Sequence, residues 1–129
     1  MPANLPSEDG VTDATPKRSG VARVHAIAST LPDVEPGSSY GYAAFKVSGK
    51  TFAWFPDKKE VEKGTLGVRM SIMEREYLIA RNPQVYYFTA HYKDYDAVLA
   101  RVDLMPDAEL RELLESGHEF MVKLKKKRR

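Results

Sequence analysis

Hydrophobic and polar positions alternate from Tyr40 to Phe55, YGYAAFKVSGKTFAWF, on either side of a Ser48-Gly49 break. Alternation at period two around a glycine-containing turn predicts a β-hairpin. With a two-residue turn, Val47 pairs with Lys50, Phe45 with Phe52 and Ala43 with Trp54. Cross-strand partners share a face, so this register puts Phe45, Val47, Phe52 and Trp54 on one apolar surface. Lys46, Thr51 and Ala53 fall on the other. A slip of one residue in either strand exchanges that strand's faces.

Outside the hairpin the period changes. Val21, Val24, Ile27, Ala28 and Leu31 fall at helical spacing, with Ser19 as N-cap and Pro32 as the stop. Pro36-Gly37-Ser38-Ser39 reads as a turn. Residues 57–64 form a charged connection, and Thr65 to Met70 reads as a third strand with Leu66, Val68 and Met70 on one face. Ser71 and Glu74 have the spacing of a capping box, and the helix they open stops at Asn82-Pro83. Two further strands follow, Val85 to Ala90 and Ala97 to Leu104, separated by HYKDYD at 91–96. Pro106 fits the first turn of a final helix whose stripe, Leu110, Leu113, Leu114, Met121 and Leu124, passes Gly117 either as one helix or as two. The order predicts an α+β domain over residues 19–122, with a mainly antiparallel sheet covered by helices. Residues 1–18, rich in Pro, Ser, Asp and Thr, read as a disordered arm, and 123–129 as a basic tail.

Charge changes this picture only when divided along the chain. The formal balance is +2, yet residues 123–129 hold six of the 20 basic side chains and none of the 18 acidic ones, leaving a body of −4. Lys46 to Arg69 carries six basic and three acidic residues, whereas Asp107 to Glu119 carries one and five. That asymmetry predicts one face suited to anions. The absence of cysteine removes disulfides, thiolate metal sites and cysteine nucleophiles together. No apolar run approaches a membrane span and no signal-like segment opens the chain, so the expectation is a cytoplasmic protein, and a monomer.

The hairpin, followed by MSIMEREYLIARNPQVYYFTAHYKDYDAVLARVDLMPDAELRELLE, resembles the MmcQ/YjbR family of small bacterial proteins. Its most specific pieces are AFKVSGKTFAW and the order NPQVYYFT, HYKDY, VLARVD, ELRELL, running from about the first helix to the last. The resemblance implies a CyaY/frataxin-like fold and a DNA-binding role, with double-stranded DNA as partner, and it brings no catalytic residue set. One departure stands out. Many relatives carry a tryptophan where the strand after HYKDY begins, and this chain has Asp96-Ala97-Val98.

Four groups of residues could carry chemistry. Lys46, Lys50, Lys58, Lys59, Lys63 and Arg69 near the hairpin, with Lys93, could neutralise phosphates; the alternative is ordinary solvated charge, with Glu60 and Glu62 interleaved. The tail KLKKKRR could add nonspecific affinity for nucleic acid or serve as a solubilising helix end. His91 with Tyr92, Lys93, Asp94 and Tyr95 offers a proton-transfer group beside aromatic surface, or simply a loop packed on the sheet rim. The aromatics Tyr40, Tyr42, Phe52, Trp54, Tyr86, Tyr87 and Phe88 could stack bases or fill the core. A ligand or protein-partner pocket near Trp54, Tyr87, His91 and Tyr92 is the competing expectation to DNA binding. No metal or cofactor is expected. His25, His91 and His118 lack ligand spacing, the first helix has no carboxylate for iron, and no glycine-rich phosphate loop or G-x-S-x-G is present. The reading is a binding module rather than an enzyme; a hydrolase or transferase built on His91 is the weaker enzymatic option. His25 is expected to be structural and His118 a surface residue.

Overall fold

Ser48 and Gly49 both adopt positive φ, 55° and 79°, the combination that turns a two-residue hairpin without splaying its strands. They join β2 (Tyr42–Val47) to β3 (Lys50–Trp54), and Val47 faces Lys50 as the alternation predicts. Beyond that pair the register shifts. Lys46 faces Thr51, but Phe45 faces Ala53 and Ala44 faces Trp54, so Phe52 is an extra residue with no partner in β2. This β-bulge corrects the predicted faces. Phe52 and Ala53 both enter the core with Phe45 and Val47, while Trp54 turns to the face that holds Lys46 and Thr51.

The computed structural model describes residues 20–39 and 42–127, with side chains for 20–35 and 43–124. Its helices are α1 (Gly20–Ala28), α2 (Ile72–Arg81) and α3 (Asp107–Lys127). The remaining strands are β1 (Val34–Ser39), β4 (Thr65–Arg69), β5 (Tyr86–Tyr87) and β6 (Ala97–Arg101). They form one antiparallel sheet of six strands in the order β1-β2-β3-β4-β6-β5. The fold is therefore α+β, as the order of elements predicts.

Several boundaries differ from the sequence reading. Pro36 to Ser39 is not a turn but the outer half of β1, paired with β2. A proline lacks the N–H of a central strand but is tolerated at a sheet edge, which is where it lies. The strand expected over 85–90 shrinks to Tyr86–Tyr87, because Phe88 leaves the sheet to stack on the Arg75 guanidinium, 4.1 Å away. The strand expected to reach Leu104 stops at Arg101, where a short 3-10 helix (Val102–Leu104) takes over. Helix α1 ends at Ala28 rather than Leu31, and the Thr30 hydroxyl donates to the Ile27 carbonyl just past its end. The Ser19 cap, the N-terminal arm, Tyr40 and the last two residues lie outside the described residues, as does the side chain of Tyr42.

The Ser71 hydroxyl accepts from the Glu74 N–H at 3.1 Å, the serine half of the capping box, and Asn82 closes α2 as expected. Helix α3 runs unbroken through Gly117. That glycine lets α3 approach the sheet: a β-carbon there would sit 2.6 Å from Val68 and 3.3 Å from the Phe52 carbonyl. The core between helices and sheet holds Val24, Ile27, Phe45, Phe52, Leu66, Val68, Met70, Val98, Leu110 and Leu114. Burying a side chain such as Phe52 or Leu114 contributes about 2–3 kcal/mol each before entropy is subtracted. Arg23 of α1 binds the start of α3 to this layer, donating to the carbonyls of Val102 and Met105 and to the Asp107 carboxylate at 2.6–3.0 Å. His118 is not a free surface residue. Its Nε2 donates to the Pro32 carbonyl at 2.6 Å, and its ring meets the edge of Phe52. His25 is exposed, with its ring against Phe45.

Candidate functional site

The α-helices pack on one face of the sheet. Cross-strand partners place Trp54, Gly67, Leu99 and Tyr87 in one row across the other face, since Trp54 faces Gly67, Gly67 faces Leu99 and Leu99 faces Tyr87. Among the described residues no α-helix covers this row. Two loops do so partly, residues 55–64 with Val61 and residues 88–96 with Tyr92, and a second, smaller core results from Val61, Tyr92 and Leu99 with Trp54 and Tyr87.

Trp54 fits because position 67 has no side chain; a β-carbon there would lie 2.7 Å from the indole. The covering loops are fixed by two arginines. Arg75, 2% exposed, donates to the carbonyls of Tyr92, Lys93, Tyr95 and Ala97 at 2.8–3.2 Å, so one guanidinium shapes the whole HYKDY loop. Arg101 donates to both carboxylate oxygens of Glu62 at 2.8 and 2.6 Å and to the Gln84 carbonyl, and it stacks on Tyr87. That bidentate hydrogen bond holds the Glu62 carboxyl below its ordinary pKa. The Tyr87 hydroxyl shares a 2.7 Å hydrogen bond with Thr65 and accepts from the Glu62 N–H. Burial pushes the Tyr92 hydroxyl above the usual tyrosine range, against the opposing hydrogen bond with Trp54.

Between the loop and the sheet a cavity of about 280 Å³ is lined by Trp54, His91, Tyr92 and Tyr95. The Trp54, Tyr92 and Tyr95 ring centres stand 6.0–6.1 Å apart pairwise, at angles from 48° to 81°. His91 closes a fourth side, 4.7 Å from Tyr92. The pocket expected from the sequence thus joins Trp54, His91 and Tyr92, but Tyr95 takes the position expected of Tyr87, whose hydroxyl is bound below the 55–64 loop.

The cations sit on several separate elements. Lys46 is half-buried on the same sheet face. Lys50 is exposed at the hairpin tip, Lys58, Lys59 and Lys63 are exposed in the covering loop, and Lys93 is exposed in the HYKDY loop. Arg69 is more constrained. Its Nε donates to the Asp96 carbonyl, and its guanidinium lies between the rings of Tyr95, at 4.7 Å, and Phe120, at 5.6 Å. Ala97 is fully buried opposite Arg69. Arg75 escaped the sequence reading as a site residue, and Tyr95 enters it only with the HYKDY loop, not with the pocket. Arg75 did leave a signal, a charged residue set at i+3 from Ile72 and i−4 from Ile79 within an apolar helical stripe.

A second cavity, about 680 Å³, opens between α2 and α3 and includes Glu74, Tyr77, Arg81, Tyr86, Glu109 and Glu112. In it the Tyr86 hydroxyl donates to Glu109 at 2.6 Å. Burial, with the adjacent Glu109 carboxylate, raises the Tyr86 pKa well above the ordinary tyrosine value. Among the described residues no group of three His, Asp or Glu side chains could hold a metal ion, and no helix is long and apolar enough to cross a membrane.

A single antiparallel sheet with helices on one face and a loop-roofed aromatic cavity on the other defines a small α+β domain. A sequence profile of the YjbR family matches residues 29–120, and the chain belongs to that family. The match begins just past α1 and takes in every strand and both loops of the site. No curated protein and no solved structure matches the chain.

Proposed function

We propose that this protein binds DNA through the helix-free face of its sheet. The observation that carries the reading is the Phe52 bulge. By turning Trp54 over, it sets the aromatic cavity on the same face as Lys46 and Arg69, where the unbulged alternation separates aromatics from cations. Cations interleaved with exposed rings are the combination that holds a phosphate backbone and its bases. Lys58, Lys59 and Lys93, exposed in the covering loops, add phosphate contacts, Lys50 at the hairpin tip adds one from the side of its partner Val47, and the tail from Lys123 adds nonspecific attraction. The protein acts in the cytoplasm as a monomeric binding module, without catalysis. Because the body without its tail carries −4, affinity has to come from this face and the tail rather than from overall charge.

A salt titration of duplex binding tests the reading. The expected result is a linear fall of log affinity with log salt, with a slope of about −0.9 per phosphate neutralised. Removing residues 123–129 is expected to reduce the slope without abolishing it. Absence of duplex and strand binding at low salt contradicts the proposal, and loss of the entire salt dependence with the tail assigns binding to the tail alone.

The cavity itself favours a second reading, a small-molecule or protein ligand held at Trp54, His91 and Tyr92, with Tyr87 beneath. Such a ligand alters Trp54 fluorescence with little dependence on salt, which separates the two readings.

A further inference from the structure

We infer that the cavity between Trp54, His91, Tyr92 and Tyr95 receives one unpaired base, so that the protein prefers single-stranded DNA to duplex; the inference rests on the DNA-binding reading above. Three observations lead there. First, the cavity is an open depression lined by four rings packed against one another, and its volume of about 280 Å³ lies just below the roughly 300–1,000 Å³ of sites for drug-sized ligands. That size fits one ring system and not a base pair. Second, the walls are in place before any ligand arrives. Gly67 seats Trp54, and Arg75 holds four carbonyls of the segment that carries Tyr92 and Tyr95. Preorganised walls lower the ordering cost of binding. Third, Tyr95 remains 43% exposed with Arg69 over its ring, so a base entering the cavity brings its phosphate toward that guanidinium and Lys93.

Aromatic surface of this kind also attracts quaternary ammonium ions. Here the Arg69 guanidinium already occupies a face of Tyr95, which disfavours a second cation. Asp94 and Asp96 flank Tyr95 in the same loop and discourage phosphates directly above them, so the strand is expected to cross on the Arg69 and Lys93 side. A base inside a duplex cannot enter, because it must first leave its stack and its partner.

Trp54 is the only tryptophan, so its emission reports the cavity directly. The full-length protein is titrated at low salt with an oligo-dT strand, with a duplex, and with tetramethylammonium. The expected result is quenching of Trp54 by the strand, at an affinity at least tenfold above that for duplex. Tyr95→Ala and His91→Ala, both at exposed positions, are each expected to weaken strand binding about tenfold and duplex binding by less than that. Equal affinity for strand and duplex, an unresponsive Trp54, or quenching by tetramethylammonium alone overturns the inference. If duplex binds while the strand leaves Trp54 unchanged, only the base pocket falls and the DNA-binding reading stands. If neither nucleic acid binds, both fall.

Discussion

Trp54 occupies the space that a side chain at Gly67 would need: the indole carbons lie 2.7 Å from where a β-carbon would be. The contact joins neighbouring strands β3 and β4 at a directly paired position. Gly67→Ala therefore forces the indole away from the sheet and disturbs the small core of Val61, Tyr92 and Leu99. Such overpacking is expected to cost about 1–3 kcal/mol. A fall in the urea midpoint together with a red-shifted Trp54 emission checks it; an unchanged spectrum shows that the indole does not rest there.

Arg75 holds the HYKDY loop by four carbonyls, and a buried carbonyl without a donor costs about 1–3 kcal/mol. Arg75→Met keeps much of the packing volume but leaves all four without this donor, so a loss of about 3 kcal/mol or more is expected. Arg75→Lys retains charge without the planar fork and is expected to recover only part of that loss. Hydrogen exchange at residues 92–97 distinguishes a local effect from a global one. Faster exchange confined to that loop is the expected pattern in the lysine variant.

How much of this was legible in the chain follows from where the decisive forces act. The Ser48-Gly49 turn, the Ser71 cap and the Asn82-Pro83 stop are local, and each appears where its residues predict. The bulge at Phe52 is not local. Alternation in TFAWF is satisfied equally well by a regular strand, and only the need to fit Phe52 beside Gly117 and Trp54 over Gly67 selects the bulged register. The same holds for residues 86–90. VYYFTA has strand propensity throughout, yet Phe88 gains a guanidinium partner by leaving the sheet. Pro36 to Ser39 has turn chemistry but pairs as an edge strand because β2 offers it a free row of hydrogen bonds. The site residues were named in part for this reason: the aromatic and basic members could be picked out by type, but the face that Trp54 takes depends on a single register shift.

The Tyr86–Glu109 hydrogen bond makes stability depend on alkaline pH. The folded-state pKa of Tyr86 is raised, chiefly by burial, so the neutral phenol is the form that folding favours. A raised folded pKa contributes stability that is fully present below the unfolded tyrosine value of about 10 and is lost as pH rises beyond it. Stability is thus expected to fall as pH climbs above about 10, and Tyr86→Phe is expected to flatten that part of the profile. Tyr92, raised in the same direction, leaves a residual slope. Urea midpoints measured from neutral to alkaline pH for both forms decide the matter; parallel profiles refute the assignment to Tyr86.

Gly117 sets two effects against each other. In a helix interior, replacing glycine with alanine gains about 1 kcal/mol from propensity alone. Here the new β-carbon meets Val68 at 2.6 Å and the backbone carbonyls of Arg69 and Phe52 at 3.2 and 3.3 Å. A backbone oxygen cannot rotate away as a flexible side chain can, and Val68 is fully buried among core neighbours. The helix must move outward instead, opening the core beneath Leu114 and straining the His118–Pro32 contact one residue on. Overpacking of this kind costs about 1–3 kcal/mol, and three close contacts at once place it toward the upper end. Net destabilisation of about 1–2 kcal/mol is therefore expected for Gly117→Ala, measured as a lower urea midpoint. A more stable variant would show that α3 does not approach the sheet closely at this point.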